Sequence, residues 1–353
     1  GRDKIEEYKI NTLVARKYGA ILSWLAAEGK DEEQTDGIAA SEAVEKLDDF
    51  ANTDTPFFLA VGFFRPHTPF VAPKKYFDLY EREKIEIPEI SSDYLATLPE
   101  LAVKSVRAKE SQINLEKERA QEIKEAYYAT ISFVDAQVGR ILDQLETSGL
   151  DKNTVIVFTS DHGYHLGEHG HWQKNTLFEN ATRVPLIISA PSSENNGVRS
   201  INPVELIDLY PTLMDLTNIN TPEHVVGKSL QPIMKNVNAS VRESALTRWR
   251  KGYSIKTKHY RLTKWGRNGE LGYELYDHKN DKNELINLAS NQDYSEVMDS
   301  LKVVIEQRIA DASIKPKGLG RQFENAKPMF KAKNITFGDT HDVYGEINYF
   351  KKK

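Results

Sequence analysis

Asp161 and His162 stand side by side at the end of a β-branched apolar run, Val155-Ile156-Val157-Phe158, and Gly163 follows them. A buried strand ending there delivers a carboxylate and an imidazole to its C-terminal edge. Open α/β sheets place their ligands at that edge. The glycine lets the backbone turn sharply behind the pair. A carboxylate oxygen beside an imidazole nitrogen suits a metal ion that would in turn hold an anionic substrate. Asp161 is the first candidate ligand and His162 the second. The plainer alternative for Asp161 is a turn cap. His165, His169 and His171 crowd into the same segment, which thus holds four of the nine histidines in the chain.

The elements around this segment read as α/β. Glu116 to Glu146 carries Ile123, Tyr127, Ile131, Val134, Val138, Ile141 and Leu145 at three- and four-residue spacing, which predicts a long helix. Ser148-Gly149 stops it. Strands are expected at Thr154–Thr159 and Val184–Ser189, and another at the continuous apolar run Phe57–Phe64. Residues 5–28 and 41–50 read as helices, as does Glu205–Leu216. Residues 66–73 are a proline-punctuated loop. Residues 85–112 show no sustained period and are expected to run over the mouth of the site. Near-continuous apolar strands alternating with helices predict a mostly parallel sheet. From about residue 240 the texture changes to short aromatic and β-branched runs, most of them separated by glycines. That predicts a small antiparallel sheet, closed by a helix over 294–309. The expected division is a main α/β domain over 1–235 and an α+β subdomain with a tail over 236–353.

Composition sets the outer limits. At 353 residues the chain can bury one large domain and a smaller one. Its net charge of −5 argues against a nucleic-acid partner, which calls for a basic face. Zero cysteine excludes disulfides and thiolate metal sites within the chain. No apolar run approaches the ~20 residues of a membrane span, so no membrane partner is expected.

Longer motifs carry a resemblance. Ser160-Asp161-His162-Gly163, Leu166-Gly167-Glu168-His169-Gly170, Trp172, Lys174 and then Thr182-Arg183-Val184-Pro185-Leu186-Ile187-Ile188 resemble the metal-binding segment of the type I, formylglycine-dependent sulfatases, with iduronate-2-sulfatase-like enzymes the nearest subgroup. Pro56-Phe57-Phe58-Leu59-Ala60-Val61-Gly62 with Pro66-His67-Thr68-Pro69-Phe70 is similar to that family's strand and loop. Tyr128 to Asp135 with Gln137 to Arg140 is a third match. Glu274-Leu275-Tyr276-Asp277 with Asn287-Leu288 is a fourth.

The resemblance implies an alkaline-phosphatase-like fold and a sulfuric ester hydrolase acting on a sulfated carbohydrate. It implies Asp161 and His162 as metal ligands, with Ca2+ favoured and Zn2+ or Mn2+ open because of the imidazole. It implies Lys174 on the sulfate and leaving oxygen, and His67 donating to the sulfate or leaving group. His165 and His171 are candidates to face the sugar; Glu168 and His169 are expected to hold the loop. Arg183 is expected to anchor it through Glu168 or Glu179. Trp249 and Trp265 read as core rather than as stacking platforms for a sugar. The family's two further aspartates and its Cys/Ser-x-Pro-x-Arg nucleophile motif have no counterpart here; Ser189-Ala190-Pro191-Ser192-Ser193 lacks the arginine. The chain is therefore expected to be the C-terminal two-thirds of such an enzyme, with formylglycine supplied by a segment or separate chain outside it. A periplasmic, secreted or lysosome-like compartment follows from the resemblance. The rival readings are a phosphodiesterase or phosphonate monoester hydrolase of the same superfamily, and an inert fragment or pseudo-enzyme that binds sulfated glycan.

Overall fold

The computed structural model describes residues 11–16 and 19–314. Strands β1 (Asn11–Arg16) and β2 (Gly19–Ala27) form an antiparallel hairpin, and β2 pairs in parallel with β3 (Phe70–Pro73). The helix expected over 5–28 is thus a pair of antiparallel strands where it is described; residues 5–10, 17 and 18 lie outside the described residues. Leu22 and Trp24, both buried, lie two apart on a strand. The mixed spacing of the apolar residues fitted either element, and pairing with β3, far along the chain, decides it. The expected loop over 66–73 accordingly ends in strand.

Helix α1 (Thr35–Ala51) lies against the long helix α5 (Lys117–Thr147). Between them in sequence come α2 (Lys74–Phe77), α3 (Ser92–Ala96) and α4 (Glu100–Val106). The inward face of α5 is Ala120, Ile123, Ala126, Ala129 and Phe133. Small residues there let the helix approach Phe70 and Trp24 closely. Ile131, expected on this face, is exposed.

Residues 57–64 alternate regularly, odd positions half-buried and even ones exposed, as in a strand. No partner strand pairs with them among the described residues. Among the described residues, strands β4 (Ile156–Thr159) and β7 (Leu186–Ser189) pair only with each other, antiparallel. The parallel pairing described is that of β2 with β3. Between β4 and β7 lie the two-residue strands β5 (His165–Leu166) and β6 (Trp172–Gln173), and helix α6 (Glu179–Thr182).

Helices α7 (Leu209–Leu216) and α8 (Gln231–Lys235) lead into the C-terminal sheet. It comprises β8 (Ala245–Trp249), β9 (Gly252–Lys256), β10 (Tyr260–Trp265) and β11 (Tyr273–Asp277), antiparallel in the order β11-β10-β9-β8. Its Ile255, Leu262 and Leu275 pack on Met298, Leu301 and Ile305 of α9 (Ser295–Ala312). Its other face carries Trp265 and Tyr276 into a core with Tyr94, Val106, Leu177 and Phe178. Residues 85–112, which show no period in sequence, contain the helices α3 and α4. Their short helices wedge between the histidine-rich segment and the C-terminal sheet because Tyr94, Leu98, Ala102 and Val106 bury there. Trp265 is core, edge-on to Trp249 at 6.4 Å. No described helix is long and apolar enough to cross a membrane.

Candidate functional site

Strand β4 ends at Thr159, and the chain turns at once. The amide of Gly163 donates to the carbonyl of Ala181 in α6 at 2.9 Å. A Cβ at residue 163 would lie 2.0 Å from the Asn180 carbonyl oxygen, so only glycine lets the turn sit this close. Asp161 and His162 are held on this turn. The Asp161 side chain is 82% exposed and that of His162 34%. His162 Nε2 lies 3.4 Å from Asp161 Oδ2, and the His162 amide donates to Asp161 Oδ1 at 3.0 Å.

His162 Nδ1 lies 2.9 Å from the Gly163 carbonyl oxygen. A carbonyl only accepts, so Nδ1 carries a proton, and Nε2 is the ring atom turned towards the carboxylate. Metal-ligating histidines are oriented in this way by the hydrogen bond of their other nitrogen. The pair offers two donor atoms, one oxygen and one nitrogen, fewer than the six to eight oxygens calcium takes, so by itself it could fill only part of a cation's shell.

His67 sits on the loop after residues 57–64. Asp36, buried in the first turn of α1, accepts the amides of Phe64 and Arg65 on its two carboxylate oxygens, each at 2.8 Å. Arg65 Nε donates to the Val71 carbonyl at 2.9 Å. His67 Nδ1–H donates to the Thr68 carbonyl at 2.7 Å, which fixes its tautomer. Thr68 Oγ1 in turn accepts the amide of Ser23 in β2 at 3.2 Å. The His67 loop and the Asp161 turn share one core: Phe70 meets Tyr164 edge-on at 6.2 Å, and both pack on Tyr127 of α5.

Lys174 follows Gln173, a non-glycine residue at φ +111°. Backbone held in that region costs of order 1–3 kcal/mol and concentrates at functional sites. Lys174 is half-buried, and its side chain has no hydrogen bond or ion pair among the described residues. Its carbonyl accepts the Thr176 amide at 2.8 Å, but its ammonium is uncommitted. Lys109 Nζ bonds the Gln173 side chain.

His165 and His171, expected to face a sugar, are turned inward and fully buried. His165 Nε2 is 2.8 Å from Thr176 Oγ1; His171 Nδ1–H donates to the Val106 carbonyl at 3.0 Å. The apolar surroundings contributed by α4 account for this orientation. His169 stacks on Phe178 at 3.9 Å and accepts from the Tyr94 hydroxyl. Burial pushes the His169 and His171 imidazoles down to about 4, and His165 well below its ordinary value. These rings therefore brace the β5–β6 hairpin in neutral form. Glu168 holds the same turn by accepting the Leu166 amide at 2.5 Å.

A second cluster lies behind α6. Glu179, His278 and Glu284 offer donor atoms all within 4.8 Å of one another. Arg261 of β10 already serves both carboxylates: Nε donates to Glu284 Oε1 at 2.5 Å and Nη2 to Glu179. His278 Nε2 donates to Glu284 Oε1 at 2.7 Å. Burial pushes the Glu284 carboxyl up, but Arg261 and His278 outweigh it and hold it at about 2. The cluster is thus an ion-pair network whose cation is a side chain. Arg183 joins its rim, 3.7 Å from Glu179. Asp36, Arg261 and Glu284 have no local sequence signal; the contacts that tie them to the site span 28 residues from Asp36 to Phe64, 82 from Arg261 to Glu179 and 105 from Glu284 to Glu179.

The family model described as Sulfatase matches residues 6–219, and the one described as N-sulphoglucosamine sulphohydrolase, C-terminal, matches 167–311. A "Sulfatase" of Formosa agariphila is 36% identical over 288 residues, covering 80% of this chain and 55% of that protein. Human "Iduronate 2-sulfatase" is 33% identical over 226 residues, covering 53% of this chain and 40% of its own. The chain thus spans about half the length of the curated relatives it matches. Among solved structures, the phosphonate monoester hydrolase of Agrobacterium radiobacter superposes with a TM-score of 0.71 at 23% identity, covering 81% of this chain and 62% of that one. A protein solved in complex with its substrate D-glucosamine-2-N,6-O-disulfate superposes with a TM-score of 0.62 at 21% identity, covering 79% and 71%. The fold is the alkaline-phosphatase-like one of these neighbours, and the small C-terminal antiparallel sheet is as expected. With the family model covering more than half of its length, the chain belongs to the sulfatase family.

Proposed function

We propose that the complete protein hydrolyses a sulfate monoester on a carbohydrate, with an iduronate-2-sulfatase-like substrate, and that this chain supplies part of its metal site. The observation that carries the reading is the Asp161–His162 pair: an exposed carboxylate beside an imidazole whose Nδ1 is tied back to a carbonyl. Asp161 and His162 fit a divalent cation, for which we favour calcium. When bound, the cation would neutralise sulfate oxygens and orient the nucleophile. Lys174, an ammonium with no partner of its own, would bind the sulfate and offset charge developing on the leaving oxygen. His67, with Nδ1–H held by the Thr68 carbonyl, would act as an imidazolium and give its Nε2 proton to the departing sugar oxygen, which leaves as the hydroxyl. The nucleophile, a formylglycine, would come from polypeptide outside these 353 residues, since no cysteine or Ser-x-Pro-x-Arg is present. Sulfated glycans occur outside the cytoplasm or in lysosomes, so we assign the protein to a periplasmic, secreted or lysosome-like compartment.

Phosphonate monoester hydrolysis is the second reading, favoured by the imidazole donor and the superposition with the Agrobacterium enzyme. Turnover of aryl sulfates and aryl phosphonates by the complete protein separates the two. We expect sulfate esters to be preferred, and Asp161→Ala to abolish both calcium retention and turnover. Undiminished calcium content and rate in that variant would end the assignment.

A further inference from the structure

The turn that carries Asp161 and His162 is seated on α6, and α6 is gripped from the other side by the C-terminal sheet. The first residue of α6, Glu179, is bound twice. Its amide donates to Glu284 Oε2 at 2.8 Å, and its carboxylate takes the Arg261 guanidinium. Arg261 is buried, and its third contact is Ser254 Oγ at 3.1 Å, on the neighbouring strand β9. Its position is therefore set by two strands of the sheet. Glu284 is fully buried and holds φ +56°, a left-handed conformation that a glutamate adopts only when its surroundings impose it. From α6 the contact passes on through Ala181 O to Gly163 N at 2.9 Å, next to His162.

We propose that Arg261, Glu284 and His278 act as a positioning clamp: through Glu179 they fix α6, and through α6 they set the metal-ligand turn. This rests on the reading of Asp161 and His162 as ligands. Arg261 touches neither substrate nor ligand; it is a positioning residue. The clamp makes the C-terminal sheet part of the metal site although β10 lies about a hundred residues beyond the turn. A single point charge cannot replace it, because the guanidinium serves two carboxylates and a hydroxyl at fixed angles.

The test uses the complete polypeptide, calcium as the probe ion, and amide hydrogen exchange at Gly163. Partners that orient ligands from behind typically govern about 10–100-fold in metal affinity. Arg261→Met is expected to weaken calcium binding at least about tenfold and to speed exchange at Gly163, with Arg261→Lys intermediate. Glu179→Gln keeps the shape of α6 and guards against misfolding; it should shift both readouts in the same direction. Lowered melting temperature with unchanged calcium affinity and unchanged Gly163 protection would overturn the clamp. Asp161→Ala serves as the control. If that variant keeps its calcium, the ligand assignment fails, and Gly163 exchange alone then decides whether the clamp exists.

Discussion

The buried imidazoles of His165, His169 and His171 give the site a defined response to acid. Each is held below its ordinary value of 6.5, with burial the first cause, and His169 and His171 at about 4. The groups facing them are Tyr94 on α3, Lys109, the distant Glu284 carboxylate, and one another. As pH falls below 6.5 the unfolded chain takes up protons that the folded chain refuses. Stability from these rings is therefore complete above about pH 6.5 and drains away towards pH 4. A depression of this size is on the order of 3 kcal/mol for one ring taken alone. Melting temperatures measured from pH 7.5 to 5 should fall, and hydrogen exchange in residues 164–177 should accelerate first. His169→Phe keeps the stack on Phe178 and removes one titrating group, so its melting curve should depend less steeply on pH. An identical slope in that variant would rule out His169 as the group responsible.

At the scale of elements, the loop that presents His67 depends on the first turn of α1. Asp36 accepts two amides there, and Asp36→Ala leaves both without a carboxylate. We expect a loss of about 1–3 kcal/mol, read from the urea midpoint of the complete protein. A rise in KM for sulfate esters should accompany it. The long helix predicts a larger effect: Phe133, buried against Tyr76, should cost about 3–5 kcal/mol as Phe133→Ala.

How legible these elements are in the sequence depends on whether their causes are local. Helix α5 and strands β8 to β11 follow from sustained periodicity and glycine punctuation, and the structure places them within a few residues of expectation. Residues 19–27 mislead because their strand state rests on pairing with two other segments, Asn11 to Arg16 and, more than forty residues away, Phe70 to Pro73. The same division holds in the site. The place of Asp161 and His162 just past a strand end follows from the local apolar run. The inward turn of His165 and His171 depends on residues 94–106, and the clamp on residues 261 and 284. No window of sequence around the Asp161–His162 turn contains either.

At the scale of the whole molecule, several large apolar side chains among the described residues stand exposed, and two of them, Phe158 and Ile187, are register partners across β4 and β7. Phe58 is 83% exposed, Val226 66%, Ile187 59% and Ile207 50%, with Phe158, Phe64 and Tyr210 also open. Three of these, Phe58, Phe158 and Ile187, lie on residues 57–64, β4 and β7, segments whose backbone edges pair with little or nothing among the described residues. Strand faces of this kind are ordinarily buried on both sides in α/β proteins. Large exposed apolar patches mark interaction surfaces and, when left uncovered, drive aggregation. The 353-residue chain prepared alone should therefore bind a hydrophobic dye such as anilinonaphthalene sulfonate and self-associate at micromolar concentration. Replacing Phe58 and Ile187 together by serine should reduce both, while circular dichroism of the C-terminal sheet stays unchanged. Sedimentation velocity gives the clearest readout. A monodisperse, dye-silent 353-residue chain would mean that these faces are covered in solution by the chain itself. Dye binding lost on addition of a polypeptide carrying the nucleophile would show instead that this surface is where the rest of the active site docks. The metal turn would then lie beside that joint, since β4 runs straight into Asp161 and His162.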